Sequence, residues 1–160
     1  MIRLLFVCLG NICRSPLAEG LVIHHAKQQG ILDRLEIDSA GTGAWHIGNP
    51  PDSRSIAVAE KHGVDISGQK ARKIKQDDFD LYDYLFAMDK SNLADLRSLS
   101  PDEHHGKIRL FTHYGEGQKD QEVPDPYYDD GFDDVYAMID HAAEQLVLHL
   151  KETHFGDGYT

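Results

Sequence analysis

Residues 7–16 read Val7-Cys8-Leu9-Gly10-Asn11-Ile12-Cys13-Arg14-Ser15-Pro16 and join two apolar segments of different periodicity. The segment before them, Arg3–Leu9, is a short apolar run of the kind that forms a buried strand. The segment after them, Ser15–Gln29, carries apolar residues at helical spacing and is followed by Gly30, which favours the end of a helix. This stretch therefore predicts a strand, a tight loop and a helix that packs back on the strand.

The rest of the chain repeats this alternation of apolar runs and helical segments. Three further strands are predicted at Leu35–Ser39, Tyr84–Met88 and Ile108–Thr112. Further helices are predicted between Pro51 and Gly63, over Asp77–Leu81, over Ser91–Ser98 and from Phe132 to Leu150. The alternation predicts the α/β class, with a parallel sheet that helices cover on both faces.

The amino-acid composition is typical of one domain and argues against some classes of binding partner. The chain has 160 residues, of which 41% are hydrophobic, and we expect a single domain over residues 1–160. The formal net charge of -11 argues against nucleic acid or an anionic membrane as partner. Two cysteines make no disulfide framework, and no apolar run approaches the roughly 20 residues that span a bilayer. We therefore expect a cytoplasmic protein.

The loop between Cys8 and Arg14 has the residues needed to hold a phosphate dianion. A loop of this length can curl around one phosphate, with its N–H groups pointing inward at the N-terminus of the following helix. Gly10 and Asn11 tolerate backbone conformations that other residues resist. The guanidinium of Arg14 matches two phosphate oxygens. The phosphate-binding residues predicted here are Leu9, Gly10, Asn11, Ile12 and Cys13, together with Ser15.

Cys8 is the predicted nucleophile of this loop. A thiolate is the reactive form of cysteine, and helix N-termini and arginine side chains lower the pKa of thiols. Ser15 can donate a hydrogen bond to the sulfur. The alternative is a buried structural cysteine with an unrelated surface arginine, and the surrounding strand, loop and helix favour the nucleophile.

A second segment, Glu122-Val123-Pro124-Asp125-Pro126-Tyr127-Tyr128, supplies a candidate general acid. Cleavage of a phosphate ester requires a proton for the leaving group, and a carboxylic acid between two prolines can donate it. Tyr127 and Tyr128 can form one wall of a slot for an aromatic ring, and Trp45 the facing wall. Alone, the segment is typical of a plain turn. Beside the Cys8 loop, it indicates that Asp125 is the acid.

These two segments, and others between them, resemble the low-molecular-weight protein tyrosine phosphatase family. The similarity runs nearly from end to end, and the combination of the first loop with Asp-Pro-Tyr-Tyr is highly specific. The matching segments are Val7–Pro16, Asp38–Gly41 with Trp45, Gly48–Asp52, Lys70–Arg72, Met88–Asp89, Ser91–Leu93 and Asp125–Tyr128.

The resemblance implies a four-stranded parallel sheet of order 2-1-3-4, with Cys8 at the carboxyl end of the first strand. It also implies the mechanism. Cys8 attacks phosphorus while Arg14 and the loop amides hold the oxygens, and Asp125 protonates the phenol. Water then hydrolyses the phosphocysteine with Asp125 as base, and no metal or other cofactor is needed. The implied partner is a tyrosine-phosphorylated protein, for which an autophosphorylated tyrosine kinase is one candidate.

One position departs from the family pattern, and two roles stay open. Some members have a histidine before Lys-Ala-Arg that hydrogen-bonds the loop asparagine, whereas this chain has Gln69. We expect the activity to survive, because glutamine can still donate or accept. Cys13 is either a packed side chain or a redox partner that traps oxidised Cys8 as a reversible disulfide.

Two other functions compete with the phosphatase. An arsenate reductase on the same fold would pass oxidation to downstream cysteines, and none follows Cys13. A catalytically silent phosphotyrosine-binding module would need a hidden defect, since Cys8, Arg14 and Asp125 are all present. A metal site is disfavoured, because the adjacent histidine pairs point in divergent directions on a helix and the acidic residues 125–134 lack the spacing of a calcium loop.

Overall fold

The computed structural model describes residues 1–128 and 131–156, apart from the side chain of Tyr128. Its sheet has four strands, all parallel, in the order β2-β1-β3-β4. The strands are β1 (Ile2–Cys8), β2 (Leu35–Gly41), β3 (Tyr84–Ala87) and β4 (Ile108–Leu110). Both the predicted fold class and the strand order are therefore confirmed.

Five α-helices connect and follow the strands in the described residues. They are α1 (Arg14–Gln28), α2 (Ser53–Lys61), α3 (Gln76–Leu81), α4 (Lys90–Leu99) and α5 (Phe132–Leu150). Short 3-10 helices lie at Leu32–Arg34, Asp102–Lys107, Phe111–Tyr114 and Pro126–Tyr128, and a π-helical turn, Lys151–Phe155, continues α5. None of the helices in the described ranges is long and apolar enough to cross a membrane.

The central strand β1 separates two hydrophobic cores. Side chains alternate along a strand, so Leu4 and Phe6 face one side of the sheet while Leu5 and Val7 face the other. The first pair packs in a core with α1, α2 and α5, and the second pair packs in a core with α3 and α4. Both faces are therefore buried, which explains why β1 is an unbroken apolar run instead of an alternating one.

Differences from the predicted boundaries have local causes. Strand β4 ends at Leu110 because Phe111 and Thr112, which we predicted as strand, enter a 3-10 helix. Helix α2 begins after Asp52, whose carboxylate accepts a hydrogen bond from the backbone N–H of Arg54 at 2.8 Å. This is the N-cap geometry that an aspartate at a helix start favours.

Candidate active site

The loop between β1 and α1, residues 9–13, lies at the carboxyl end of the central strand. Carbonyl groups in and beside the loop are hydrogen-bonded to other segments of the chain: Cys8 O accepts from Thr42 N at 3.0 Å, Leu9 O from Gly43 N at 2.9 Å and Ile12 O from Asp52 N at 2.7 Å. Among the described residues, the backbone N–H groups of residues 9–13 have no acceptor. Successive unpaired N–H groups at a helix N-terminus form a site for an anion.

The side chain of Asn11 stabilises the curved backbone of this loop. The φ of Asn11 is 56°, the left-handed region that asparagine tolerates better than most residues. Its side chain is buried and fully hydrogen-bonded. Oδ1 accepts from the N–H of Arg72 at 3.0 Å, while Nδ2 donates to Ser15 Oγ at 2.9 Å and to Ser39 Oγ at 3.0 Å. The unusual backbone conformation is therefore stabilised by three separate segments of the chain.

The sulfur of Cys8 lies 3.0 Å from the hydroxyl oxygen of Ser15. Because that oxygen already accepts from Asn11, the hydroxyl proton is left to be donated to the sulfur. Cys13, by contrast, is a buried thiol: burial first, then the nearby Asp52, raise the pKa of its thiol to about 12. The thiol of Cys13 is therefore held in its neutral form.

Arg14 is the first residue of α1, and its side chain is only 3% exposed. Nη1 donates to Asp89 Oδ2 at 2.6 Å and to the carbonyl oxygen of Val123 at 2.9 Å, and Nη2 lies 3.7 Å from Asp125 Oδ2. Burial opposes the charged form, but Cys8 and the two carboxylates outweigh burial and raise the pKa of Arg14. The guanidinium is therefore a fixed cation that joins the loop to Asp125.

Asp125 and Cys8 both line a cleft of about 370 Å³. The Oδ1 of Asp125 accepts from the backbone N–H of Tyr127 at 3.0 Å, which orients the carboxyl group. Two aromatic side chains line the cleft and stay largely exposed, Trp45 at 72% and Tyr127 at 40%. The cleft is lined by Cys8, Leu9, Gly10, Ile12, Cys13, Arg14, Trp45, His46, Asp125 and Tyr127.

Most of the site residues predicted from sequence thus lie around one cleft. Asn11 and Ser15 lie behind it and act on the loop instead of lining it. The side chain of Tyr128 lies outside the described residues. His46, which the sequence analysis did not single out, also lines the cleft, and its ring is 3.0 Å from where a Cβ on Gly10 would stand. A side chain at position 10 would therefore press on His46.

Gln69 does not take the place that the family pattern gives to histidine. Its Nε2 donates to the carbonyl oxygen of Pro16 at 3.1 Å. The Oδ1 of Asn11 accepts instead from the backbone N–H of Arg72. Behind Asn11, the hydroxyl of Ser39 donates to Glu19 at 2.6 Å. The loop is thus supported in this chain without a contact from Gln69 to Asn11.

Fold and site together define an α/β enzyme class in which a cysteine lies in an anion-binding loop. The model of the family "Low molecular weight phosphotyrosine protein phosphatase" matches residues 3–155. The chain belongs to this family, and it is a protein tyrosine phosphatase.

The similarity of this chain to individual relatives extends over almost its whole length. The chain is 40% identical over 152 residues to low molecular weight protein-tyrosine-phosphatase YfkJ of Bacillus subtilis, covering 95% of this chain and 97% of the relative. It is 45% identical over 141 residues to the low molecular weight phosphotyrosine protein phosphatase of Schizosaccharomyces pombe, covering 86% and 90%. The crystal structure of YfkJ superposes with a TM-score of 0.92 at 39% identity, covering 96% and 97%. That of a drosophila arginine phosphatase superposes at 0.86 and 33% identity, covering 95% and 99%.

Proposed function

We propose that the chain hydrolyses phosphotyrosine in proteins, and small aryl phosphates, through a phosphocysteine intermediate on Cys8. One observation carries the proposal: the backbone N–H groups of residues 9–13 are unpaired, and the Cys8 sulfur lies in the same cleft. A phosphoryl group held by these donors exposes its phosphorus to the sulfur. The donors neutralise the charge that other phosphatases neutralise with metal ions, so the reaction needs no cofactor.

In the first step, the thiolate of Cys8 attacks phosphorus and the bond from phosphorus to the phenolic oxygen breaks. Asp125, protonated, gives its proton to that oxygen, so the leaving group departs as a neutral phenol. Arg14 and the loop amides hold the three other oxygens of the phosphoryl group. Asp89 fixes the guanidinium of Arg14 in the orientation that this requires.

In the second step, water attacks the phosphorus of the phosphocysteine and Asp125 takes one of its protons. The bond from sulfur to phosphorus breaks, and Cys8 leaves as a thiolate that the Ser15 hydroxyl stabilises. Inorganic phosphate is then released. Atoms and charges return to their starting state, and the enzyme is ready for another cycle.

The aromatic side chains of Trp45 and Tyr127 suit a phenyl ring as the leaving group. The proposed partner is therefore a tyrosine-phosphorylated protein, and an autophosphorylated tyrosine kinase is one candidate. The mechanism requires Cys8 as a free thiol, which a reducing compartment such as the cytoplasm maintains. An arsenate reductase is the weaker alternative, because no cysteine follows Cys13 in the sequence.

The test compares two substrates in two variants, with EDTA present throughout. Tyrosine has a pKa near 10 and leaves poorly without a proton, whereas p-nitrophenol is far more acidic and needs less help. We expect Asp125→Asn to slow phosphotyrosine hydrolysis more than p-nitrophenyl phosphate hydrolysis, and Cys8→Ser to abolish both.

One control substrate and two outcomes decide this test. The control substrate is phosphoarginine, chosen because a drosophila arginine phosphatase is similar in structure, and its leaving group differs from that of phosphotyrosine. Faster turnover of phosphoarginine than of phosphotyrosine would show that phosphotyrosine is not the preferred substrate. Equal slowing of both aryl substrates by Asp125→Asn would remove Asp125 as the acid. Substantial activity in Cys8→Ser would remove Cys8 as the nucleophile.

A further inference from the structure

A second groove adjoins the catalytic cleft across Leu9 and Trp45. Its volume is about 320 Å³, and Leu9 and Trp45 line both depressions. The other residues that line it are Thr42, Gly43, Asp95, Ser98 and Leu99. The groove is therefore close enough for residues that flank a phosphotyrosine in the cleft to reach it.

The apolar part of the groove is exposed to solvent in the described structure. Leu9 is 40% exposed, Leu99 42% and Trp45 72%. These three side chains can cover the aliphatic stem of a long side chain, and the face of Trp45 also attracts a cation.

The polar part of the groove is acidic. Asp95 is exposed, and within residues 1–128 and 131–156 no cation lies within salt-bridge distance of it. Ser98 and Leu99 belong to the last turn of α4, where the helix dipole places partial negative charge. The buried hydroxyl of Thr42 has no hydrogen-bond partner in the same part of the chain. Together these groups suit a positively charged end group.

We propose that this groove is a specificity subsite for a lysine or arginine that lies within two positions of the phosphotyrosine in the substrate protein. The proposal rests on the proposed function, because the phosphotyrosine anchors the peptide beside the groove. Residues of an extended peptide are spaced at about 3.3 Å, so a long basic side chain at such a position reaches the groove next to the cleft. Asp95 pairs with its charge, and Leu9, Leu99 and Trp45 cover its stem.

The experiment measures kcat/KM for glycine-flanked phosphotyrosine peptides that carry a single arginine, norleucine or glutamate at positions −2, −1, +1 or +2. We expect at least one position to prefer arginine over norleucine by about threefold to fivefold, the size of one partly exposed ion pair. Glutamate there should be the poorest substrate. The preference should weaken as salt is raised, because the ion pair is screened.

Asp95→Asn should bring the arginine peptide to the rate of the norleucine peptide and leave p-nitrophenyl phosphate turnover unchanged. The matched control is Asp77→Asn, which removes the same charge from an exposed position on α3 and should keep the preference. Equal rates for arginine and norleucine at all four positions, or a preference that survives in Asp95→Asn, would overturn the subsite. Failure to cleave any phosphotyrosine peptide, with p-nitrophenyl phosphate still cleaved, would refute the proposed protein substrate and the subsite with it.

Discussion

Asn11→Ala removes the side chain that supports the phosphate loop from behind. The change deletes three hydrogen bonds, a part-buried one with Arg72 N and two buried ones with Ser15 Oγ and Ser39 Oγ, each of which stabilises by about 1 kcal/mol net. It also places alanine at a φ of 56°, which costs about 1 kcal/mol more. We therefore expect the free energy of unfolding to fall by about 4 kcal/mol, or the Tm by about 10 °C.

The loss should be measured by urea unfolding, followed by circular dichroism, together with kcat/KM for p-nitrophenyl phosphate. A displaced loop should cost about a hundredfold in kcat/KM, since small misplacements of catalytic groups have effects of that size. Asn49→Ala is the control, because this exposed side chain makes no hydrogen bond in the described structure and should change stability by less than about 0.5 kcal/mol. If the free energy of unfolding of Asn11→Ala lies within about 1 kcal/mol of the wild-type value and the variant keeps its activity, the loop does not depend on Asn11.

Three further predictions concern other groups of the site. Arg14→Lys keeps the charge but loses the two hydrogen bonds from Nη1, so turnover should fall at least about a hundredfold, measured on p-nitrophenyl phosphate; near-normal turnover would contradict the phosphate clamp. Burial above all raises the pKa of Glu19 from 4.5 to about 7, against the opposing hydrogen bond from Ser39, so the folded state binds the proton more tightly than the unfolded state and stability declines as pH rises from 4.5 through about 7. Glu19→Gln should therefore gain stability relative to wild type between pH 5 and pH 8, by up to about 3 kcal/mol in urea unfolding, and a constant difference over that range would contradict the shift. Iodoacetamide at pH 7 should modify Cys8 in the cleft and spare Cys13, whose pKa of about 12 keeps it protonated; mass spectrometry of tryptic peptides decides, and equal labelling would show that Cys13 is not shielded.

The sheet could be predicted from the sequence because its strands are short apolar runs with clear ends. Burial on both faces requires an unbroken apolar run, and this run makes β1 recognisable in the sequence. The observed strand differs from the predicted Arg3–Leu9 by only one residue at each end. The carboxyl end of β4 was less predictable. Phe111 and Thr112 are as suited to a strand as to a turn, and only the tertiary structure places them in a 3-10 helix.

Some contacts in the candidate site join residues that are close in sequence, and others join residues that are far apart. The contact between Cys8 and Ser15 joins residues that flank one short loop, so the sequence pattern could indicate it. The hydrogen bond from Arg14 to Asp89 spans 75 positions, and no local pattern specifies that these two side chains meet. The same holds for Gln69, whose bond to Pro16 depends on how two distant segments pack.

The N–H groups of residues 9–13, which have no acceptor among the described residues, also affect how the protein behaves in solution. A set of donors that the chain does not satisfy itself will bind tetrahedral oxyanions in general, whether sulfate, vanadate or the phosphate product. Such ions bind the folded state alone, so they stabilise it in proportion to the logarithm of their concentration while occupying the place of the substrate. A buffer rich in phosphate should therefore yield a protein that is harder to melt and slower to turn over.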